Sequence, residues 1–295
     1  MLVESLFEFE MMYDYMSSTQ CWFLPYRYNE FTVYEKRPDG SLSNAGNRTI
    51  EDLKTSAYAE EFNKYLNRPE SLLAQRSSIE AIIKQPIETK YQIYLQWLIG
   101  AIYVKAFRLH VAKNLKWTEW NTTKSKQQLI RCITWLNSTD FSSAPASTIF
   151  HDNEVSGLLQ HSMQVAIEGI QLLSCPKFST CFLEDVVLCG LVHDWCKIGM
   201  YESYKKNVKQ GNNWVQEDAF RVVDVPLTCY GHGVSSLILI SRFFSLQPHL
   251  ELAIRWHQGR WYCSDAERYE LQQANNQYPL VLLIQFADQL AITKY

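Results

Sequence analysis

The sequence predicts an all-α protein with one small β-hairpin insertion and a less regular N-terminal part. Three observations carry that expectation. Apolar residues recur at mixed three- and four-residue spacing along most of the chain after residue 49. One stretch, Ser203 to Asp224, alternates in character around "QGNN", which suits a two-stranded hairpin. There is no internal repeat and no low-complexity tract.

The elements follow in order. Residues 1–50 read as irregular and rich in aromatics, as in "CWFLPYRYNEFTVYEK". Within them, "FTVYEKRPDGS" reads as a strand entering a Pro-Asp-Gly turn. "TIEDLKTSAYAEEFNKYL" carries a Thr49 cap and reads as a helix ending before Pro69. "PESLLAQRSSIEAIIK" starts with proline at a first-turn position. Helical runs follow at Ile87–Lys113 and Ser125–Leu136. The run "IYLQWLIGAIYVKAF" is broken by Gln96 and Lys105, so it suits a buried core helix better than a membrane span. A loop from Asn137 leads to helices at Gly157–Leu173, Phe182–Val192, Val234–Phe244, Pro248–His257 and Pro279–Ala291. These suggest a helical region over 1–139 and a second unit over 140–295.

Composition bounds the function classes. The chain has 295 residues, 47% hydrophobic and 20% charged, so it can bury a core and is not disordered overall. A net charge of −3 gives no global pull toward nucleic acid or membrane. Eight cysteines occur without a C-x-x-C pair, which suits reduced thiols in a cytoplasmic protein. The acidic start "MLVESLFEFEMMYDY" lacks the basic region of a signal peptide.

The chemistry concentrates in the C-terminal half. His161, the adjacent pair His193-Asp194, His232, His257 and Asp288 each sit in or near the end of an apolar helical run. Asp288 lies in "YPLVLLIQFADQLAI", where an ionised carboxylate must be paired or bound. Each residue alone has an ordinary structural reading, such as a core histidine bonded to a carbonyl or a buried ion pair. Together they form an imidazole-carboxylate set suited to transition-metal ions.

With these residues in view, the sequence resembles the HD superfamily of metal-dependent phosphohydrolases. That family's signature is a histidine, a His-Asp pair and a distal aspartate on an all-α core. The resemblance covers about Asp140 to the C-terminus. It includes "SSAPASTIFHDNEVSGLLQHSMQVA", similar to the entry segment of HD proteins related to 3′→5′ exoribonucleases and prophage-type hydrolases. The order H…HD…H…H…D also resembles the binuclear HD phosphodiesterases. The family's glycine pair is Ser156-Gly157 here, its "HDIGK" is "HDWCK", and its later His-His pair is Trp256-His257. No GYP motif is present, so a cyclic-di-GMP assignment is unsupported.

The resemblance implies one metal on His161, His193, Asp194 and Asp288, and a second on His232 and His257 sharing Asp194. Two divalent ions are therefore expected, Mn preferred, with Fe, Ni, Co, Mg or Zn as other choices. It implies Asp194 as a catalytic centre. Lys197 would be a phosphate contact and His151 a residue that protonates a leaving group or supports a ligand. Lys205 in the hairpin and Arg255 are further substrate-binding candidates, each with an ordinary reading as a surface charge. The expected reaction is hydrolysis of a phosphodiester in a nucleotide or short nucleic acid. Free (d)NTP or (d)NMP hydrolysis and a non-catalytic nucleotide-sensing scaffold are the alternatives. No membrane partner is expected. The aromatic N-terminal segment reads as a substrate lid, a homo-oligomer contact or extra core.

Overall fold

The computed structural model describes residues 21–27, 30–66, 82, 84–112, 122–149, 152–224, 226–227, 230–261 and 263–293. Most of "PESLLAQRSSIEAIIK", the first 20 residues and His151 lie outside the described residues.

The fold is mostly helical with two small antiparallel sheets, so it is not strictly all-α. The N-terminal sheet corrects the expected irregular start, and its middle strand with the turn after it is the one expected in "FTVYEKRPDGS". Strands β1 (Cys21–Arg27), β2 (Glu30–Lys36) and β3 (Leu42–Thr49) pair in sequence order. Phe23 pairs opposite Val33, and Phe31 opposite Arg48. Phe23, Phe31 and Val33 are buried. β3 is polar along its length, so it carries no alternation to mark it as a strand. The turn between β2 and β3 is fixed by Asp39, whose Oδ1 accepts from the Ser41 amide at 2.9 Å.

Two short helices replace the single one expected after Thr49. They are α1 (Ile50–Thr55) and α2 (Ala59–Leu66). α1 opens with a capping box between Thr49 and Asp52. It ends where the Thr55 and Ser56 hydroxyls bond to nearby carbonyls, and Ser56 Oγ accepts the Tyr58 amide at 3.2 Å. Such local bonds compete with the helical ladder. Phe62 of α2 then meets Phe23 edge-on at 5.0 Å between ring centroids.

α3 (Ile87–Ala112) runs through the core and is followed by α4 (Thr122–Asn137). α5 (Gly157–Leu172) and α6 (Leu183–Val192) pack on it and on each other. Tyr94 of α3 donates its hydroxyl to Leu191 O at 2.9 Å, and Trp195 Nε1 donates to the same oxygen of Tyr94 at 2.9 Å. Residues before 139 thus share one apolar core with those after it. The polar interruption of α3 is also explained: Lys105 pairs with buried Asp185 at 2.8 Å, and Arg108 pairs with buried Glu184.

The hairpin has the predicted form, β4 (Tyr201–Gln210) and β5 (Asn213–Val222), paired in continuous register. Helices α7 (His232–Ser241), α8 (Pro248–Arg255), α9 (Asp265–Gln277) and α10 (Pro279–Ile292) complete the chain. α9 was not expected. It buries only Leu271 and Ala274, so it has little apolar periodicity. Its start signal was legible, since Ser264 and Glu267 form a capping box. No described helix is long and apolar enough to cross a membrane.

Candidate metal centre

Each candidate ligand is delivered by the end or a turn of a core helix. His161 stands in the second turn of α5. The backbone before it folds tightly: Ala146 N donates to Asp152 O at 2.8 Å, and Leu158 N donates to Ala144 O at 3.0 Å. Gly157 fits this strap because a Cβ there would lie 1.9 Å from Asp152 O. Ser156, the residue before it, has φ of 68°, in the left-handed region.

His193 and Asp194 follow the last residue of α6. The helix does not continue to Lys197. A 3₁₀ turn, Trp195–Lys197, carries that lysine back to its neighbour instead. Trp195 is anchored in the apolar core by Tyr94. His232 is the first residue of α7, and His257 lies two residues beyond α8. Gly233 allows these two ends to meet, since a Cβ there would lie 2.0 Å from Arg255 O. The His232 and His257 ring centroids are 5.2 Å apart. Asp288 projects from α10 toward His161.

All six predicted ligands converge on one place. His161, His193, Asp194 and His257 are almost wholly buried, at 1%, 0%, 2% and 1% exposure. Asp194 stands at the centre and offers one oxygen to each side. Its Oδ2 lies 3.5 Å from His161 Nε2 and 3.5 Å from His193 Nε2. Its Oδ1 lies 2.6 Å from His232 Nε2 and 3.4 Å from His257 Nε2. Asp288 Oδ1 closes the first side, 3.1 Å from His161 Nε2 and 3.7 Å from His193 Nε2. The two Nε2 atoms of His161 and His193 are 3.3 Å apart.

These separations fit ligands of a common ion. Bonds of about 2.0–2.2 Å, at angles near 90–110°, place two ligand atoms roughly 2.8–3.6 Å apart. Five of the six separations among His161, His193, Asp288 and Asp194 Oδ2 run from 3.1 to 3.7 Å, within or just above that range. Ring orientation agrees. His193 Nδ1 bonds to Gly190 O at 2.8 Å, and His257 Nδ1 bonds to Ile254 O at 2.7 Å. A carbonyl only accepts, so each Nδ1 carries a proton and Nε2 is the nitrogen that faces the centre. His257 Nε2 has no hydrogen-bond partner among the described residues. His161 Nδ1 faces Asp152 Oδ2 at 3.9 Å.

The electrostatics are those of a buried charge cluster. Burial would raise the Asp194 carboxyl, but the charges of Lys197, His193 and His232 outweigh it and hold Asp194 well below the usual range. Burial also opposes ionisation of Asp288, yet its bond to His161 and the nearby histidines keep it low. His232 is lowered, first by burial and then by the like charges of His257 and Lys197.

Lys197 is held inside the centre. Its Nζ lies 2.6 Å from Asp194 Oδ2. Two other predicted contacts carry ion pairs of their own. Lys205 pairs across the hairpin with Asp218 at 2.7 Å, and both side chains are exposed. Arg255 pairs with Glu270 at 2.9 Å and covers the Trp256 ring.

Three groups of buried or partly buried donors could therefore hold a metal ion. They are His161, His193 and Asp288; His193, Asp194 and His257; and Asp194, Cys196 and His232. Cys196 was not among the expected ligands. Comparison with protein-family models, curated proteins and solved structures finds no match to this chain.

Proposed function

We propose that the centre on Asp194 binds two divalent ions and that the protein is an HD-type metal-dependent phosphohydrolase. Its preferred reaction is cleavage of a phosphodiester in a nucleotide or short nucleic acid. The single observation that carries this reading is Asp194 itself. Each of its oxygens faces a different pair of histidine Nε2 atoms. A carboxylate so placed suits a bridge between two ions.

Bound ions would activate water and offset charge growing on phosphate oxygens. The chain's own residues have separable tasks. His193 and His257 hold fixed tautomers through their carbonyl partners. Lys197 fixes the orientation of Asp194 and supplies a positive charge next to it. His232 and Asp288, with 23% and 18% of their side-chain surface exposed, form the edge that a substrate can reach.

A metal-free binding or scaffold role has one observation in its favour. Lys197 and His232 each approach Asp194 to 2.6 Å, which compensates its charge without an ion. A panel of cyclic dinucleotides, short RNA, single-stranded DNA and dNTPs, assayed with Mn²⁺, separates these readings. The phosphodiesterase reading predicts product from a diester and none after Asp194→Ala. Equal inertness of both proteins, with no metal bound, would favour the scaffold. Release of product from dNTPs alone would favour nucleotide hydrolysis.

A further inference from the structure

We propose that Cys196 is a thiolate ligand on the Asp194 Oδ1 side of the centre, which makes that side selective for thiophilic divalent ions. The proposal rests on reading the Asp194 centre as a metal site.

Three observations support it. First, donor atoms of Cys196, Asp194 and His232 all lie within 4.8 Å of one another. Second, Cys196 is set apart from the other buried thiols. Cys132, Cys181 and Cys189 belong to the main apolar core, as does the adjacent Trp195, but Cys196 does not. A buried cysteine that acts as a small apolar filler belongs among apolar neighbours. This one borders the buried polar cluster around Asp194.

Third, Ser236 on α7 orients it. The Cys196 amide donates to Ser236 Oγ at 3.0 Å, and Ser236 is fully buried. The oxygen is thereby engaged as an acceptor, and the hydroxyl keeps a proton that it can donate to the neighbouring sulfur. A hydrogen bond donated to a ligating sulfur is a common support for a metal-bound thiolate.

The consequence is chemical asymmetry across Asp194. On the Oδ2 side the donors are imidazole and carboxylate, which suit Mn, Fe, Co, Ni or Zn. On the Oδ1 side a thiolate joins His232, and softer ions such as Zn, Co or Cd are favoured over Mg or Mn. Ligation replaces the S–H bond with an S–metal bond and releases one proton to solvent.

Cobalt substitution of the full chain tests this. Thiolate ligation of Co²⁺ gives a near-ultraviolet charge-transfer band that nitrogen and oxygen ligands do not give. The wild type is expected to show it. Cys196→Ser and Cys196→Ala are expected to lose it while still binding cobalt and keeping the wild-type circular dichroism. In competition titrations, Cys196→Ser should weaken Cd²⁺ binding by about tenfold or more and leave Mn²⁺ binding nearly unchanged. Cobalt bound without the band, or a band that survives both substitutions, would overturn the thiolate ligand alone. Absence of any bound cobalt would overturn it together with the metal reading beneath it.

Discussion

The Lys197 ammonium lies 2.6 Å from Asp194 Oδ2, and both side chains are buried. The pair spans only three residues, across a 3₁₀ turn. It ties the cation to the same oxygen that faces His161 and His193.

Removing one member should expose the cost of the other. Lys197→Met leaves Asp194 buried without its closest positive charge, a change that costs about 3–5 kcal/mol. A divalent ion supplies charge at the same place, so it should restore stability to the variant. Ion at about a hundred times its dissociation constant contributes roughly 2.7 kcal/mol. Thermal melts of wild type and variant, with EDTA and with Mn²⁺, check this. An equal metal response in the two proteins is compatible, but no response in either would contradict the account.

Gly233→Ala should separate two ligands without touching either. The added Cβ would lie 2.0 Å from Arg255 O, so α7 and α8 must move apart. Overpacking of this kind costs about 1–3 kcal/mol. His232 and His257 would part, while the group of His161, His193 and Asp288 would remain. Metal content of the folded variant should fall by one ion per chain. Two ions retained would show that Gly233 does not set the spacing.

Acid should weaken a second buried cluster in a definable window. Burial opposes ionisation of Asp185, but its bond to His249 and the charge of Lys105 hold its carboxyl below the usual range. A lowered folded pKa gives stability above the unfolded value of about 3.9, lost as pH falls through the folded value. Asp185→Asn should therefore be less stable than wild type at pH 6. The difference should begin to shrink below about pH 4. Glu184 acts in the opposite direction, because burial raises it despite Arg108. Denaturant melts of both proteins from pH 6 to pH 3 test the sign. A gap that widens toward acid would refute it.

Thiol labelling should divide the cysteines sharply. Cys175 is exposed, while Cys132, Cys181, Cys189 and Cys196 are buried. Burial pushes the Cys181 and Cys196 thiols up to about 12. Thiolate is the reactive form, so iodoacetamide at pH 8 should label Cys175 first among these five, and the buried thiols only on unfolding. Peptide mapping by mass spectrometry reads the order.

The helical core and the ligand set were legible for one reason. Apolar helices that end in His, His-Asp or Asp force those polar groups into shared interior space, as at Val192–His193 and around Asp288. Of the N-terminal sheet only β2 and its Pro-Asp-Gly turn were legible, because β3 pairs through its backbone with little apolar alternation. α9 was hidden by a polar surface, although Ser264 and Glu267 marked its start. The position of Lys197 comes from a 3₁₀ turn beside the buried Trp195, which spacing does not supply. Cys196 could be flagged only as a departure from a pattern, since its neighbours Ser236 and His232 lie about forty residues on. Lys205 and Arg255 show the converse. Their partners, Asp218 and Glu270, follow from the hairpin register and from α9, neither of which spacing alone supplies.

The most direct measurement is metal per chain by mass spectrometry after dialysis against a mixture of Mn²⁺, Co²⁺ and Zn²⁺. The account predicts close to two ions in the wild type. It predicts none retained by Asp194→Ala, whose loss removes the carboxylate that serves both sides. A wild-type chain that emerges without bound metal, or an Asp194→Ala chain that keeps two ions, would contradict it.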